Sequence, residues 1–497
     1  MRNFLATVAA LSGLALGASE VWAQGRDVFR VEPLPEGFVP RQGTSLAMGV
    51  RPDVQRIESL AVGDEFMVPA EPGATYTARV TRVSRIGQGR VTVEADILEA
   101  EESTLLMCLE LDAVAMNIHL PRLGGVYRLQ YVSNGLHASC RLDQRMLPEC
   151  SGAVTPPIQL PEILDPDDDD RFSVNEGRID APDGGDGAAG GRTAGCSQSV
   201  PVIDVMVVYT DVARNAAGGT NAIRAESRLA IESTNQGYAR SGISARQRLV
   251  WNGEVAYNES GSFNDHLDRI TASNDGFFDW INTTKDTVNA DLCAMFVDDT
   301  SSGGLAWCVV STNQYAYSIT RWDIAAAAFV HAHETGHNLG CAHDPDNVDC
   351  SPASSYGLGH RFNGSDGVQY RTIMSYAPGT RINNFSNPNV NFLGTPTGLS
   401  TRHNSRIIND RDTIIEDLQF SRWDIYVNFA FGGLEIGTFA NPYNTISEGI
   451  NAIAVGTNAG ELPSLYVRTG TSTFTGTITK AMEINACSGV VNIGGTP

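Results

Sequence analysis

His333-Glu334-Thr335-Gly336-His337-Asn338-Leu339-Gly340-Cys341-Ala342-His343 follows the pattern H-E-x-x-H-x-x-G-x-x-H without a mismatch. Residues four apart share one face of an α-helix, so His333 and His337 present two imidazoles to one point, with Glu334 one step round from the first. Gly340 can take the left-handed conformation that ends a helix, which turns the chain so that His343 supplies a third nitrogen. Three nitrogens leave a tetrahedral metal with one position for water, whose pKa zinc lowers to about 7. Glu334 is then the base that accepts the proton of that water rather than a fourth ligand.

Chance is a poor account of this stretch. Average residue frequencies make a bare H-E-x-x-H expected in roughly one chain in a hundred of this length, and the added glycine and third histidine reduce that to roughly tens per million. Upstream, Asp323 is a good N-cap, and the Ala-rich run Ile324 to Val330 predicts that the helix begins there. His331 stands two residues before His333 and so points to another face, as a bystander.

Downstream lies Arg371-Thr372-Ile373-Met374-Ser375-Tyr376-Ala377-Pro378. A methionine in an apolar tetrapeptide is ordinarily core. After the three-histidine pattern, however, the stretch resembles the Met-turn of the metzincin zinc peptidases, with Met374 as its methionine. That resemblance implies an α/β catalytic domain, a twisted mixed sheet with the histidine helix beside it. In the astacin and serralysin branches a tyrosine two residues past the methionine is an extra zinc ligand or transition-state stabiliser, which makes Tyr376 a candidate. Asp344 directly after His343 is more similar to the reprolysin branch. More narrowly, Val205 to Thr210, Asn235 to Ile243, Arg248 to Val250, Asn384 to Pro388 and Gly394 to Gly398 resemble the bacterial peptidyl-Asp metalloendopeptidases. The likeness covers somewhat under half the chain and implies cleavage on the amino side of aspartate. Because the segment after the Met-turn walls the S1′ pocket in this clan, Arg381 is the candidate partner for a substrate carboxylate, ahead of Arg371; arginine suits a bidentate carboxylate contact.

The formal charge is −22 among 497 residues, and no Lys/Arg cluster stands ready to neutralise phosphates, which argues against nucleic-acid binding. Residues 1–23 carry Arg2, an apolar run from Leu5 to Ala18 and a small-residue end at Val21-Trp22-Ala23, a secretory signal cleaved before Gln24. That run is too short for a transmembrane anchor, and no later apolar run has the length to span a bilayer, so the expected destination is extracellular. Nine cysteines permit disulfides there; sequence proximity suggests Cys140 with Cys150, Cys293 with Cys308 and Cys341 with Cys350, and an odd count leaves at least one unpaired.

Length and texture divide the rest. Residues 24–160 alternate apolar and polar residues, as in Tyr76 to Val83 and Arg90 to Ala95, and predict a β-rich propeptide. Residues 161–197 hold the run Asp165-Pro166-Asp167-Asp168-Asp169-Asp170 and a Gly-rich stretch, a linker unable to bury a core and a natural processing site. If the aspartate preference carries over, the linker is cut by the enzyme itself. A propeptide thiol could cap the zinc until then, with Cys150 and Cys196 as candidates.

Residues 198–422 form the catalytic domain. Its expected strands are Val202 to Tyr209, Leu249 to Val255 and Asp291 to Val297, with a helix over Asn221 to Tyr238. Gly304 to Val310 is either the edge strand that pairs with substrate backbone or an ordinary core strand. From 423 to 497 a helix over Glu448 to Ala454 and short strands at Ser464 to Arg468, Gly476 to Ile478 and Val490 to Ile493 resemble the opening of a parallel β-helix, a short solenoid fit for surface or matrix contact.

The expected whole is a secreted zinc endopeptidase acting on proteins or peptides. The alternative is an exported adhesion or binding protein that keeps a protease-like fold and acts through residues 423–497; the intact histidines, glutamate and methionine weigh against it. The acidic clusters are compatible with structural calcium, although none has the spacing of an EF-hand.

Overall fold

The computed structural model describes residues 28–157, 200–455 and 461–494; the signal segment, the acidic linker and Cys196 fall outside them. Alternation in the first third forms a nine-stranded antiparallel sheet between Phe29 and Leu142. One face closes on its own core, with Val93, Leu105, Met107, Met116 and Ile118 inside. Strands Thr104–Glu110 and Ala113–Leu120 are buried on both faces, because Leu106, Cys108, Ala113 and Ala115 join the core of the following domain.

That domain is built on a six-stranded mixed sheet. Val202–Thr210 lies parallel to Arg246–Val255 on one side and to Leu292–Val297 on the other. Tyr317–Arg321 continues the parallel set, and Gly304–Trp307 runs antiparallel to it. A near-continuous apolar run such as Val202–Thr210 suits a strand covered on both faces, and every residue in it is buried. The helix Thr220–Arg240 is held between this sheet and the N-terminal one. Four ion pairs cross from its polar positions: Arg128 to Glu226 at 2.6 Å, Arg228 to Glu110 at 2.8 Å, Arg82 to Glu232 at 2.6 Å and Arg240 to Glu102 at 2.8 Å.

Gly304–Trp307 is the last strand that residues 198–422 contribute on this side of the sheet. Its outer side is covered by Ala153–Val154, the tail of the N-terminal region, in parallel register. Within residues 198–422 the strand is therefore at an edge, and the N-terminal tail pairs with that edge.

The histidine helix spans Val330–Asn338 and starts later than expected. Asp323 does not cap it, because its carboxylate is taken by Arg321 at 2.6 Å and Arg41 at 2.7 Å. Phe329 holds a left-handed φ of 59°, which separates the buried alanine turn before it from the helix after it. Gly340 has the predicted positive φ of 99°, and the N–H of Cys341 returns to the Gly336 carbonyl at 2.9 Å to close the helix end.

Beyond Trp423, strands Asp424–Val427, Ser464–Ser472 and Glu483–Ile493 form a three-stranded parallel sheet, with helix Ile446–Ala452 packed on it through Ile446. Residues 476–478 are not a strand. The segment is anchored to the catalytic sheet by Arg248, which contacts Asp204 at 2.7 Å and Asp424 at 2.7 Å.

None of the three expected cysteine pairs forms: Cys140, Cys150, Cys293, Cys308, Cys341 and Cys350 all carry free thiols. Proximity in sequence misled here. The neighbour of Cys308 is Cys350, Cys293 lies inside a central strand, and Cys150 reaches across to the histidines. Among the described residues no helix is long and apolar enough to cross a membrane.

Candidate metal centre

His333, His337 and His343 meet as the spacing predicts, all fully buried. Their Nε2 atoms lie 3.0 to 3.2 Å from one another. Each Nδ1 faces a backbone carbonyl: Ile373 at 2.9 Å, Cys341 at 3.0 Å and Asn347 at 3.0 Å. A carbonyl only accepts, so each Nδ1 carries the proton and each Nε2 turns a lone pair inward. Three converging lone pairs repel one another and suit a cation, and the carbonyls set the tautomer and ring orientation that metal ligation needs.

Glu334 is buried beside them, and its carboxylate oxygens have no nitrogen or oxygen partner, the Cys150 thiol being their polar neighbour. Burial pushes its pKa well above the usual carboxylate range. The donor set and the buried carboxylate fit a three-histidine metal with a base at its side. His331 is the bystander expected, its Nε2 2.9 Å from Gln247 Oε1 on the opposite side of the helix.

Met374 lies fully buried under the helix. A Cβ placed on Gly336 would stand 2.7 Å from its Sδ, so the glycine between the two helical histidines is what lets the methionine approach. Tyr376 packs its ring against His343 at a tilt, with centroids 4.2 Å apart. Its hydroxyl donates to the Cys150 carbonyl at 2.8 Å. Asp344 is buried and accepts from Arg361 at 2.6 Å and from the backbone N–H of Tyr376 at 3.0 Å, which joins the third-histidine loop to the turn carrying Met374.

Cys150 comes to the same place. Its thiol forms a cluster with His333 and Glu334 in which the ligand atoms lie within 4.8 Å of one another. Burial, then Glu334, raises its pKa well above that of a free thiol. Preceding it, Glu149 contacts Arg371 at 2.9 Å and Arg381 at 3.0 Å and accepts the Ala377 N–H at 3.0 Å. Burial raises the Glu149 pKa, but Arg381 and then Arg371 outweigh that and hold it below the usual range. Burial and Arg381 bring Arg371 down to about 10. Sequence reasoning ranked Arg381 above Arg371, whereas the structure sets both on one carboxylate. It missed Glu149, whose only sequence signal is adjacency to a candidate capping cysteine.

The fold and the site together define a reprolysin-like metallopeptidase domain: residues 201–386 match the reprolysin family described as Metallo-peptidase family M12. Within the curated proteins, the chain is 30% identical over 292 residues to a peptidyl-Asp metalloendopeptidase of Xanthomonas campestris pv. campestris, covering 57% of this chain and 63% of that one. It is 35% identical over 217 residues to a protein of the same name from Stenotrophomonas maltophilia, covering 43% of this chain and 52% of that one. The chain thus spans between half and two thirds of the length of these relatives. A solved structure described as a chaperone-substrate complex overlaps at a TM-score of 0.37 and 19% identity, over 45% of this chain and 36% of that one, a likeness too slight to bear on fold or function.

Proposed function

We propose that the chain is a secreted zinc endopeptidase made in a latent form, and that it cuts polypeptides on the amino side of aspartate. The observation that carries the reading is the convergence of three Nε2 lone pairs beside the buried carboxylate of Glu334. His333, His337 and His343 would hold the zinc, which would supply Lewis acidity for activating water at neutral pH. Glu334 accepts the proton of the attacking water and delivers it to the leaving nitrogen. Its burial keeps bulk water away from the carboxylate that handles this proton. In this reading Met374 supports the histidines from below, and Tyr376 contacts the developing oxyanion once its hydroxyl is free of the Cys150 carbonyl. Arg381 contributes to the pocket for the aspartate side chain, in keeping with the relatives' names.

The N-terminal sheet is the propeptide in this reading, and Cys150, not Cys196, caps the metal. The residues after Cys150 occupy the edge of Gly304–Trp307, where substrate backbone would pair.

The test compares the wild type with Glu334→Ala, each incubated with an unstructured protein with and without a zinc chelator. Cleavage by the wild type alone, abolished by chelation and leaving aspartate at the new amino termini, is expected. A processed, zinc-loaded wild type that cuts nothing removes the reading. Replacing both Cys150 and Cys196 by alanine should raise the activity of the unprocessed chain; no gain removes the capping role.

A further inference from the structure

Residues Glu149 to Val154 lie along the strand Gly304–Trp307 in a fixed direction. Gly303 N–H donates to the Glu149 carbonyl at 3.2 Å, Ser151 N–H donates to the Gly304 carbonyl at 2.8 Å, and Cys308 N–H donates to the Val154 carbonyl at 2.9 Å. The segment therefore runs parallel to the strand it covers. Glu149 comes first, at the arginine pair, and Cys150 follows at the histidines.

A peptide cut before an acidic residue has the reverse order, with the scissile bond first and the acidic side chain after it. To place its carboxylate where that of Glu149 sits, with its scissile bond at the histidines, a substrate must run antiparallel to Gly304–Trp307. Read backward, Cys150 then Glu149 reproduces the order of metal site then acidic pocket, while presenting no peptide bond in the cleavable direction.

The arginines supply the second argument. Arg371 and Arg381 are buried to 4% and 5% exposure, and their other partners are the carbonyls of Gly379, Ser375 and Ala328. Among the described residues Glu149 is the one carboxylate on either guanidinium. Two buried like charges with no anion are costly, and with the segment docked the anion is Glu149, in a cavity shared with the apolar wall of Ile324, Ala328 and Val330; when the segment leaves, a two-arginine site is opened to another carboxylate.

We infer that Glu149 is a reversed substrate decoy: it fills a two-arginine pocket, formed equally by Arg371 and Arg381, that otherwise binds the acidic side chain following the scissile bond. The inference rests on the peptidase reading for its substrate half, and its two halves are tested separately.

The first arm uses the full chain carrying Glu334→Ala, which keeps it unprocessed, and follows alkylation of Cys150 by a small maleimide, mapped by mass spectrometry. Adding Glu149→Gln should speed that labelling by about tenfold or more, because a charge-assisted contact is lost. Glu149→Asp should restore most of the protection, and Asp143→Asn, whose ion pair stays within its own segment, should change nothing. Equal labelling in the Glu149→Gln and parent chains overturns the decoy. The second arm uses chain that has processed itself, on peptides differing only in Asp, Asn or Ala after the cut. Arg371→Gln and Arg381→Gln should each lower kcat/KM for the Asp peptide by about tenfold or more, with the Ala peptide within about threefold. Equal losses on both peptides, or an effect of Arg381 alone, overturn the shared pocket. A wild type that cuts none of the peptides ends the peptidase reading and the substrate half with it, while the labelling result still decides the decoy.

Discussion

Asp344 Oδ2 accepts the backbone N–H of Tyr376 at 3.0 Å while its other oxygen accepts from Arg361 at 2.6 Å. The residue after the third histidine is thereby fastened to the turn beneath the metal centre. Asp344→Ala leaves the Arg361 guanidinium without this partner and frees the His343 loop, so zinc affinity should fall about tenfold to a hundredfold, the usual cost of losing an outer partner. Competition with a chromogenic chelator measures this without any assay of activity. Unchanged affinity would mean that the loop is held by other contacts.

Glu334→Gln keeps the shape of the side chain and removes its basicity. Zinc content and thermal stability should stay near those of the parent, while kcat falls about a hundredfold to ten-thousandfold. Loss of metal together with activity would instead mark Glu334 as a ligand.

Gly304 abuts the Glu334 carboxyl so closely that a Cβ there would collide with it. Gly304→Ala should therefore displace the base without touching a histidine. The expected signature is a fall in kcat at constant zinc stoichiometry, read by elemental analysis beside steady-state kinetics. Full activity in that variant would show that Glu334 has room to move.

Acid should loosen the N-terminal sheet. His119 stacks on Phe329 with centroids 4.7 Å apart, and burial, then Arg240, hold its pKa down to about 3 from an ordinary 6.5; Arg240 itself pairs with Glu102. The docked sheet thus binds fewer protons than the released one between those values, so docking is strongest above 6.5 and weakens as the pH falls toward 3. Glu149 acts in the same direction at lower pH: its contribution is complete above its ordinary value of 4.5 and is lost as the pH falls through its depressed value. With the linker cut by an added protease in a Glu334→Ala chain, the two parts should co-elute at pH 7.5 and separate progressively below 6.5. His119→Gln should flatten the first part of that change. Co-elution held to pH 4 in the parent would remove the prediction.

The catalytic centre was legible because its chemistry is local in sequence. His333, Glu334 and His337 are placed by helical periodicity, Gly340 by its backbone freedom, and His343 by the turn that follows. The long strand Val202–Thr210 and the helix Thr220–Arg240 were legible from apolar runs and spacing. The start of the histidine helix was not: Asp323 reads as a cap until Arg321 and Arg41 claim it, and Arg41 lies in the other domain. Glu149 and Arg371 are separated by 222 positions, and no periodicity relates them. The thiol neighbours failed for the same reason, since Cys308 and Cys350 meet through the fold rather than through short loops.

The helix Thr220–Arg240 meets the N-terminal sheet through Arg128 with Glu226, Arg228 with Glu110 and Arg82 with Glu232. None of these contacts passes through the linker, so severing the linker leaves every one of them in place. What severing removes is the covalent tie, so docking changes from an intramolecular to a bimolecular equilibrium. If the N-terminal sheet is the inhibitor proposed above, escape from it then becomes a matter of dilution. A nicked molecule in a crowded vesicle should stay silent, and the same molecule released into a large volume should awaken at a rate set by dissociation rather than by the cut.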